Sequence, residues 1–440
     1  MYGIQWLLTL LVISSLCVNE IHTVRPAFDL QGDYCLTKTG PRCCSGRMDA
    51  CSRPILGTLC YCDDFCDSRK DEDCCPDYWS VCRNDPEPIV ASCRYQNQVV
   101  EVNKSIKDNC NLCKCNLWNM TFAEILCEKH TCLIEPDVIN TVNQHYARYG
   151  WTATNYTKFW GRKHEEGIRL RLGTKQPHRF VKRMNPVRLV YDPYTLPKEF
   201  DSDKTWPGYI SGIIDQGWCG SSWALSTVAV ASDRYAVISK GLEVVQLSAQ
   251  HLLSCDNRGQ QSCDGGHLDR AWNYFRKFGL VDNDCFPYKG TNEKCPFPRS
   301  GNLKTARCAQ PTNEFRTDRY MVSPAHRVAN ESDIMYEIMH SGPVQATMKV
   351  YHDFFSYQGG IYKHTDLTDN DRTGYHSVRI VGWGEEYSYS GVQKYWKVAN
   401  SWGTEWGENG YFRIVKGHNE CEIETFVLGV IPLIQSEEMK

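Results

Sequence analysis

Cysteine placement constrains this chain more than any periodicity does. Of 24 cysteines in 440 residues, ten lie between 35 and 82, six between 93 and 132, and seven from Cys219 onward; Cys17 stands apart near the N-terminus. The first two groups occupy short segments with few long apolar runs. Such segments cannot bury enough apolar surface to hold a fold, so disulfides formed in an oxidising compartment must supply the missing constraint. Their even number, sixteen, suits complete pairing, whose connectivity the spacing leaves open.

Secretion is expected on independent grounds. Residues 1–18 (MYGIQWLLTLLVISSLCV) carry an apolar run from Trp6 to Leu16, the length of a signal-peptide core and too short for a membrane span. No later stretch is apolar enough to cross a bilayer. Four Asn-x-Ser/Thr sequons, at Asn103, Asn119, Asn155 and Asn330, suit a glycoprotein. The balance of 49 Lys and Arg against 52 Asp and Glu gives no global attraction to nucleic acid.

The chain divides into segments of different character. In 34–82 the spacing Cys60-x-Cys62-x3-Cys66-x7-Cys74-Cys75-x6-Cys82 resembles a somatomedin B-like domain, a small extracellular disulfide knot. A zinc site is the rival reading of clustered cysteines, but nearby histidines are lacking, so no metal and no cofactor is expected. Residues 93–132, with Cys110-x2-Cys113-x-Cys115, resemble part of a von Willebrand factor C-type module, or form an unclassified disulfide-rich linker. Residues 136–195 contain no cysteine, and 146–173 is aromatic and helix-capable. From Lys158 to Arg188 ten Lys or Arg face two Glu, either a patch for acidic glycans or a solvated face. Lys182-Arg183 is a candidate processing pair. From Leu196 onward apolar runs lengthen, and one domain-sized block over 196–440 is expected.

Chemistry concentrates in that block. A run that is apolar on most faces extends from Trp223 to Lys240, with Ser221-Ser222 before it and Gly241 after, which predicts a buried helix. A side chain at its N-terminus sees the positive end of the helix dipole. His376, on a strand-like stretch that turns Val378 and Ile380 inward, is a candidate base. Asn400 can orient its imidazole, and Gln216 can offer an N–H to a developing oxyanion.

The stretches QGWCGSSWAL, CDGGHLDRAW, GYHSVRIVGWG and ANSWGTEWGENGYF, in this order, resemble the papain family and within it cathepsin B. The resemblance implies an α+β, two-lobed papain-like fold, with a helical left lobe and a barrel-like right lobe flanking a cleft. It also implies a catalytic set of Gln216, Ser222, His376 and Asn400, a shielding indole at Trp402, substrate-pairing Gly265 and Gly266, and a disulfide between Cys219 and Cys263. That bond answers the alternative in which Cys219 is the nucleophile. Phe426 stands where cathepsin B places an acidic group in its substrate pocket. No histidine lies between Cys285 and Cys308, where cathepsin B holds a substrate carboxylate with a histidine pair.

Ser222 stands where the family has its nucleophilic cysteine. A hydroxyl ionises far above a thiol, and Asn400 brings no negative charge to stabilise an imidazolium. Little or no peptidase activity is therefore expected. The whole combination resembles the tubulointerstitial nephritis antigen family, a resemblance that implies a propeptide-like segment over 136–195. This implies a secreted matrix-associated glycoprotein that binds extracellular matrix or basement-membrane proteins, cell-surface receptors or secreted growth factors. No Arg-Gly-Asp tripeptide occurs. Two alternatives stand beside it: a weak peptidase using Ser222 and His376, and a non-cleaving decoy for peptides or protease inhibitors.

Overall fold

Two units divide the chain, Met1–Lys129 and His130–Lys440. The structure, a computed structural model, describes residues 32–55, 57–68, 73–84, 92–119, 122–187, 189–297, 319–388 and 391–434. The expected signal peptide at 1–18 lies outside the described residues.

In the first unit, cystine replaces an apolar core. Over 32–84 the buried side chains are chiefly Cys35, Cys51, Cys60, Cys62, Cys66 and Cys75, gathered around Tyr78. They are closed by the bonds Cys35–Cys62, Cys43–Cys82, Cys44–Cys51, Cys60–Cys75 and Cys66–Cys74. The sulfurs of Cys35, Cys62 and Cys75 lie close together, but each belongs to a disulfide and offers no thiolate to a metal. Farther along, antiparallel strands Ser105–Asp108, Asn111–Asn119 and Phe122–Cys127 form a three-stranded sheet. Cys113 and Cys127 face each other across its register and are bonded; a second bond joins Cys93 and Cys115.

The second unit is built around strands β1 (Trp151–Ala153), β2 (Phe200–Asp201), β3 (His326–Val328), β4 (Val344–Val350), β5 (Tyr357–Tyr362), β6 (Gly374–Ser388), β7 (Gly391–Ala399), β8 (Tyr411–Val415) and β9 (Val427–Gly429). The sheet runs β3-β9-β4-β6-β7-β8-β5-β1, with β2 added to β6. Its helices are α1 (Pro136–Gln144), α2 (Ser222–Ile238), α3 (Ala249–Cys255), α4 (Leu268–Phe278) and α5 (Glu331–Ser341). Two apolar cores result. One, centred on Trp151, Phe159, Phe354, Phe355, Trp402 and Trp406, lies in the strand-rich lobe. The other, with Trp223, Tyr235, Leu252, Trp272 and Phe275, lies among the helices.

Between the lobes runs α2, in which every residue but Ala229 and Ile238 is buried. Its end follows from Gly241, whose left-handed backbone lets its N–H reach the Ala236 carbonyl at 2.8 Å. Burial on all sides forces its polar groups to find partners. Asp233 pairs with Arg379 of β6, and Ser226 shares a 2.7 Å hydrogen bond with Ser377. Because α2 covers that face, β6 departs from the simple alternation expected around Val378 and Ile380: Ser377, Arg379 and Val381 are buried as well. Arg234 is wholly buried and donates to Glu337 of α5 at 2.8 Å, and His326 of β3 meets the same carboxylate at 3.0 Å.

The segment at 136–195 packs within this unit. In place of the helix-capable stretch over 146–173 stand a turn at Tyr146–Tyr149, strand β1, a turn at His164–Gly167 and a wide turn at Ile168–Leu172. The helix is interrupted because Trp151, Phe159 and Leu172 must each reach the strand-rich core, and a single helical stripe cannot place all three. β1 pairs antiparallel with β5, opposing Trp151 to Gly360.

Candidate active-site cleft

The tip of α2, strand β6 and the loop after β7 bring the family-equivalent residues to one place. Ser222 opens α2, with Ser221 at the N-cap position. Ser221 makes no capping bond there; its hydroxyl meets the Tyr288 hydroxyl at 2.6 Å and the Cys219 carbonyl at 3.3 Å. Cys219 is bonded to Cys263, so its sulfur is not a free thiol. Among the described residues the one free thiol is Cys421, buried, with burial and the nearby Glu420 holding its proton on.

His376 is fully buried, and its Nε2 donates to Asn400 Oδ1 at 2.7 Å. Asn400 Oδ1 also accepts from the Ser401 N–H at 2.8 Å, which fixes the amide. Burial pushes the His376 pKa down to about 4, although Asn400 and the Leu172 carbonyl favour its charged form. The ring therefore stays neutral at physiological pH. Trp402 is wholly buried, 5.2 Å from the His376 ring, and stacks on Phe355 at 5.0 Å.

Ser222 does not engage His376. Its hydroxyl shares a 2.8 Å hydrogen bond with the hydroxyl of Thr174 and accepts weakly from the Ser377 N–H at 3.4 Å. Among the described residues no hydrogen bond joins Ser222 to His376, so the proton-transfer contact that would activate an alcohol is missing. Gln216 is similarly occupied. Its Nε2 donates to the Cys219 carbonyl at 2.8 Å and faces the Leu170 carbonyl at 3.4 Å, while its Oε1 accepts from Ser401 at 2.7 Å.

Residues 170–176 fill the groove. The Gly266 N–H donates to the Gly173 carbonyl at 2.9 Å, and the Lys175 N–H donates to the Gly266 carbonyl at 2.9 Å. From the opposite wall, the Tyr375 carbonyl accepts from the Thr174 N–H at 3.2 Å. This approach depends on glycine. A Cβ on Gly173 would lie 2.0 Å from the Gly220 carbonyl oxygen, and one on Gly266 would enter the Trp223 ring. The Trp402 indole N–H anchors the Arg171 carbonyl at 2.7 Å. The Arg171 guanidinium, 2% exposed, pairs with Asp215 at 2.8 Å. Ser222, His376 and Gln216 are consequently sealed from solvent.

These covering residues escaped the sequence reading. Arg171 was hidden in the basic run, and nothing local marks Gly173 or Thr174. The basic residues of 158–187 divide between inward-facing and exposed positions. Lys158 reaches Asp215 and the Trp402 carbonyl, Arg162 covers the Trp218 ring, Arg171 is buried, and Lys182 lies 3.7 Å from Glu422. Arg169, Arg179 and Arg183 remain exposed. Gly265 and Gly266 line the groove, whereas Phe426 is buried in the helical core. Asn103, Asn155 and Asn330 are exposed, and the side chain of Asn119 lies outside the described residues. Asn330 Oδ1 caps α5 by accepting from the Asp333 N–H at 2.9 Å, which leaves Nδ2, the glycan-bearing atom, uninvolved in the cap.

Comparison with known proteins bears on the whole chain. The family described as papain family cysteine protease matches residues 196–431. Tubulointerstitial nephritis antigen-like of Mus musculus is 44% identical over 437 residues, covering 93% of this chain and 91% of its own. Tubulointerstitial nephritis antigen of Bos taurus is 41% identical, with 90% and 87% covered. Among solved structures, procathepsin B S9 from Trypanosoma congolense superposes with a TM-score of 0.58 at 32% identity, covering 69% of this chain and 99% of that one. A match of that extent exceeds the 196–431 block and takes in residues outside it.

Proposed function

We propose, from the premise that this chain belongs to the papain family and within it to the tubulointerstitial nephritis antigen family, that it acts as a secreted, non-catalytic binding protein of the extracellular matrix. The observation that carries the proposal is the Ser222 hydroxyl, held by Thr174 instead of His376 beneath a groove already filled by residues 170–176. An alcohol nucleophile needs a base in contact, and an imidazolium needs a neighbouring charge that Asn400 does not supply. Secretion is supported by the cystine-built first unit, which requires an oxidising compartment, and by the kinship to the antigen family. Matrix or basement-membrane proteins, cell-surface receptors and secreted growth factors are the partner classes this reading names.

The test has two arms on the full-length secreted protein. Incubation with papain-type peptide substrates should give no turnover, and turnover that disappears in Ser222→Ala would overturn the non-catalytic role. Incubation with decellularised basement-membrane matrix should retain the protein through washing, and free recovery in the wash would overturn the matrix role.

One observation favours a second reading, the decoy. Gly266 uses both its backbone groups to pair an extended chain, so the groove retains the geometry for holding a peptide. In that reading a peptide or inhibitor must displace residues 170–176, and competition by a cystatin-type inhibitor would reveal it.

A further inference from the structure

We propose that the outward face of α4 and the turn before it form a docking strip for a sulfated glycosaminoglycan chain. The strip needs only the secreted location of the reading above, not the absence of catalysis. It consists of cations that the fold gathers and leaves without acidic partners.

Spacing along α4 dictates the strip. Leu268, Ala271, Trp272 and Phe275 are buried, at the i, i+3, i+4 and i+7 positions of one face. The opposite face therefore carries Arg270, Asn273 and Lys277, with Arg276 at its side; Asn273, Arg276 and Lys277 are exposed. Arg270 and Lys277 stand two turns apart, about 10 Å along the axis. Exposed Arg258 joins them from the 256–262 turn. That turn is pinned by the Cys255–Cys295 and Cys219–Cys263 bonds and by Gln260, whose amide pairs with both backbone groups of His267. Gly259 has a left-handed backbone there, and a Cβ on it would lie 1.5 Å from Arg270 Nη1, so the glycine admits the guanidinium. Arg270 donates to the Arg258 carbonyl at 3.4 Å, and the Arg258 guanidinium lies over the Phe278 ring at 5.6 Å. Lys175 approaches from the groove-filling segment: burial, then the like charge of Arg270, lowers its pKa.

Elsewhere in this unit cations meet carboxylates. Arg148 pairs with Asp366, Lys397 with Asp201, Lys416 with Glu331 and Arg413 with Glu408. Among the described residues no ion pair joins Lys175, Arg258, Arg270, Arg276 or Lys277 to an acid. Asp264 and Asp269 are acidic neighbours. Asp256 is buried, and burial pushes its carboxyl up to about 7, so it lends only part of a negative charge near neutral pH. Like charges held together by a rigid turn and a helix attract a polyanion without reorganisation. No large apolar side chain between 258 and 278 is exposed. The strip thus offers neither an anchor for lipid nor a stacking surface for bases, which favours a sulfated polysaccharide.

Purified full-length protein is applied to immobilised heparin at low salt, so the result stands apart from the turnover and matrix arms above. It should be retained and elute with added NaCl, whereas fully desulfated heparin should not hold it. The Arg270→Gln, Lys277→Gln variant should elute at lower salt, and the slope of its log affinity against log salt should be shallower by about two. The Arg169→Gln, Arg183→Gln variant, with the same loss of charge elsewhere, should elute with the parent. On the parent protein heparin should shield Lys277 from acetylation, a readout that needs no variant. Unchanged elution of the α4 variant, an equal loss in the control variant, or an unshielded Lys277 would each overturn the proposal. So would equal retention on desulfated heparin, duplex DNA or phosphatidylserine vesicles.

Discussion

The change from sulfur to oxygen at position 222 alters less of the architecture than of the chemistry. The Thr174 hydroxyl completes the hydrogen bonding of the small Ser222 hydroxyl. Restoring the sulfur should therefore not restore activity. Ser222→Cys is expected to turn over peptide substrates no faster than Ser222→Ala, and its thiol should be alkylated slowly in the native state and rapidly after denaturation. Fast native alkylation would mean that residues 170–176 leave the groove freely. A second residue-scale prediction concerns Glu337, whose carboxyl is held near a pKa of about 2. Burial opposes that shift, while His326 and Arg234 more than offset it. Glu337→Gln leaves Arg234 buried without its counter-charge, so urea denaturation should register a loss of roughly 3–5 kcal/mol. In the parent protein this carboxylate contributes stability above the ordinary carboxyl range that is lost as pH falls from about 4.5 toward 2, roughly 3 kcal/mol in all.

Among elements, the seam between the 130–178 segment and the strand-rich lobe is a place where acid should act. His164 is buried, stacked at 4.0 Å on His352, and its Nε2 has no partner. Burial, with His352 and Arg372 adding like charge, lowers its pKa to about 3. The groups around the stack are Asp371, 2.6 Å from His352 Nδ1, the Leu133 carbonyl at His352 Nε2, and Glu165 paired with Arg372. His376, under the same segment, is lowered to about 4. Both rings are neutral when folded, so below pH 6.5 the unfolded or undocked chain binds more protons than the native one. Stability is thus fully present above about 6.5 and falls as pH drops toward 4. At pH 4.5 the penalty is roughly 3 kcal/mol per ring. Thermal melts should show the midpoint falling across this window, and His164→Gln should flatten the slope. A midpoint independent of pH between 6.5 and 4.5 would contradict the neutral state of the buried His164 and His376 rings. Much at this scale was legible beforehand: α2 and β6 carry apolar patterns strong enough to be read locally. The break-up of 146–173 was not, because the positions of Trp151, Phe159 and Leu172 are set by a core that residues 344–414 supply.

At the scale of the whole molecule, the two units hold themselves together by different means. Over 32–127 burial centres on half-cystines, whereas the second unit has two apolar cores rich in tryptophan and phenylalanine. Mild reduction by dithiothreitol should therefore abolish hydrogen-exchange protection across 92–119 while peptides from Ser222–Ile238 remain protected. Simultaneous loss in both units would show that the second depends on its disulfides as strongly as the first.

By itself, the sequence determined the cystine-built first unit, the buried helix after Ser222 and the papain-family kinship with its altered nucleophile. These are properties of spacing and composition, local along the chain. Only the tertiary structure decided what the Ser222 hydroxyl touches, where the basic residues of 158–188 go and that the cleft is closed. Those contacts join residues tens to hundreds of positions apart: Thr174 to Ser222, Arg171 to Asp215, Trp151 to Gly360. Their geometry arises when Gly173 and Gly266 permit two backbones to meet, and no local pattern encodes the partner that a distant segment brings.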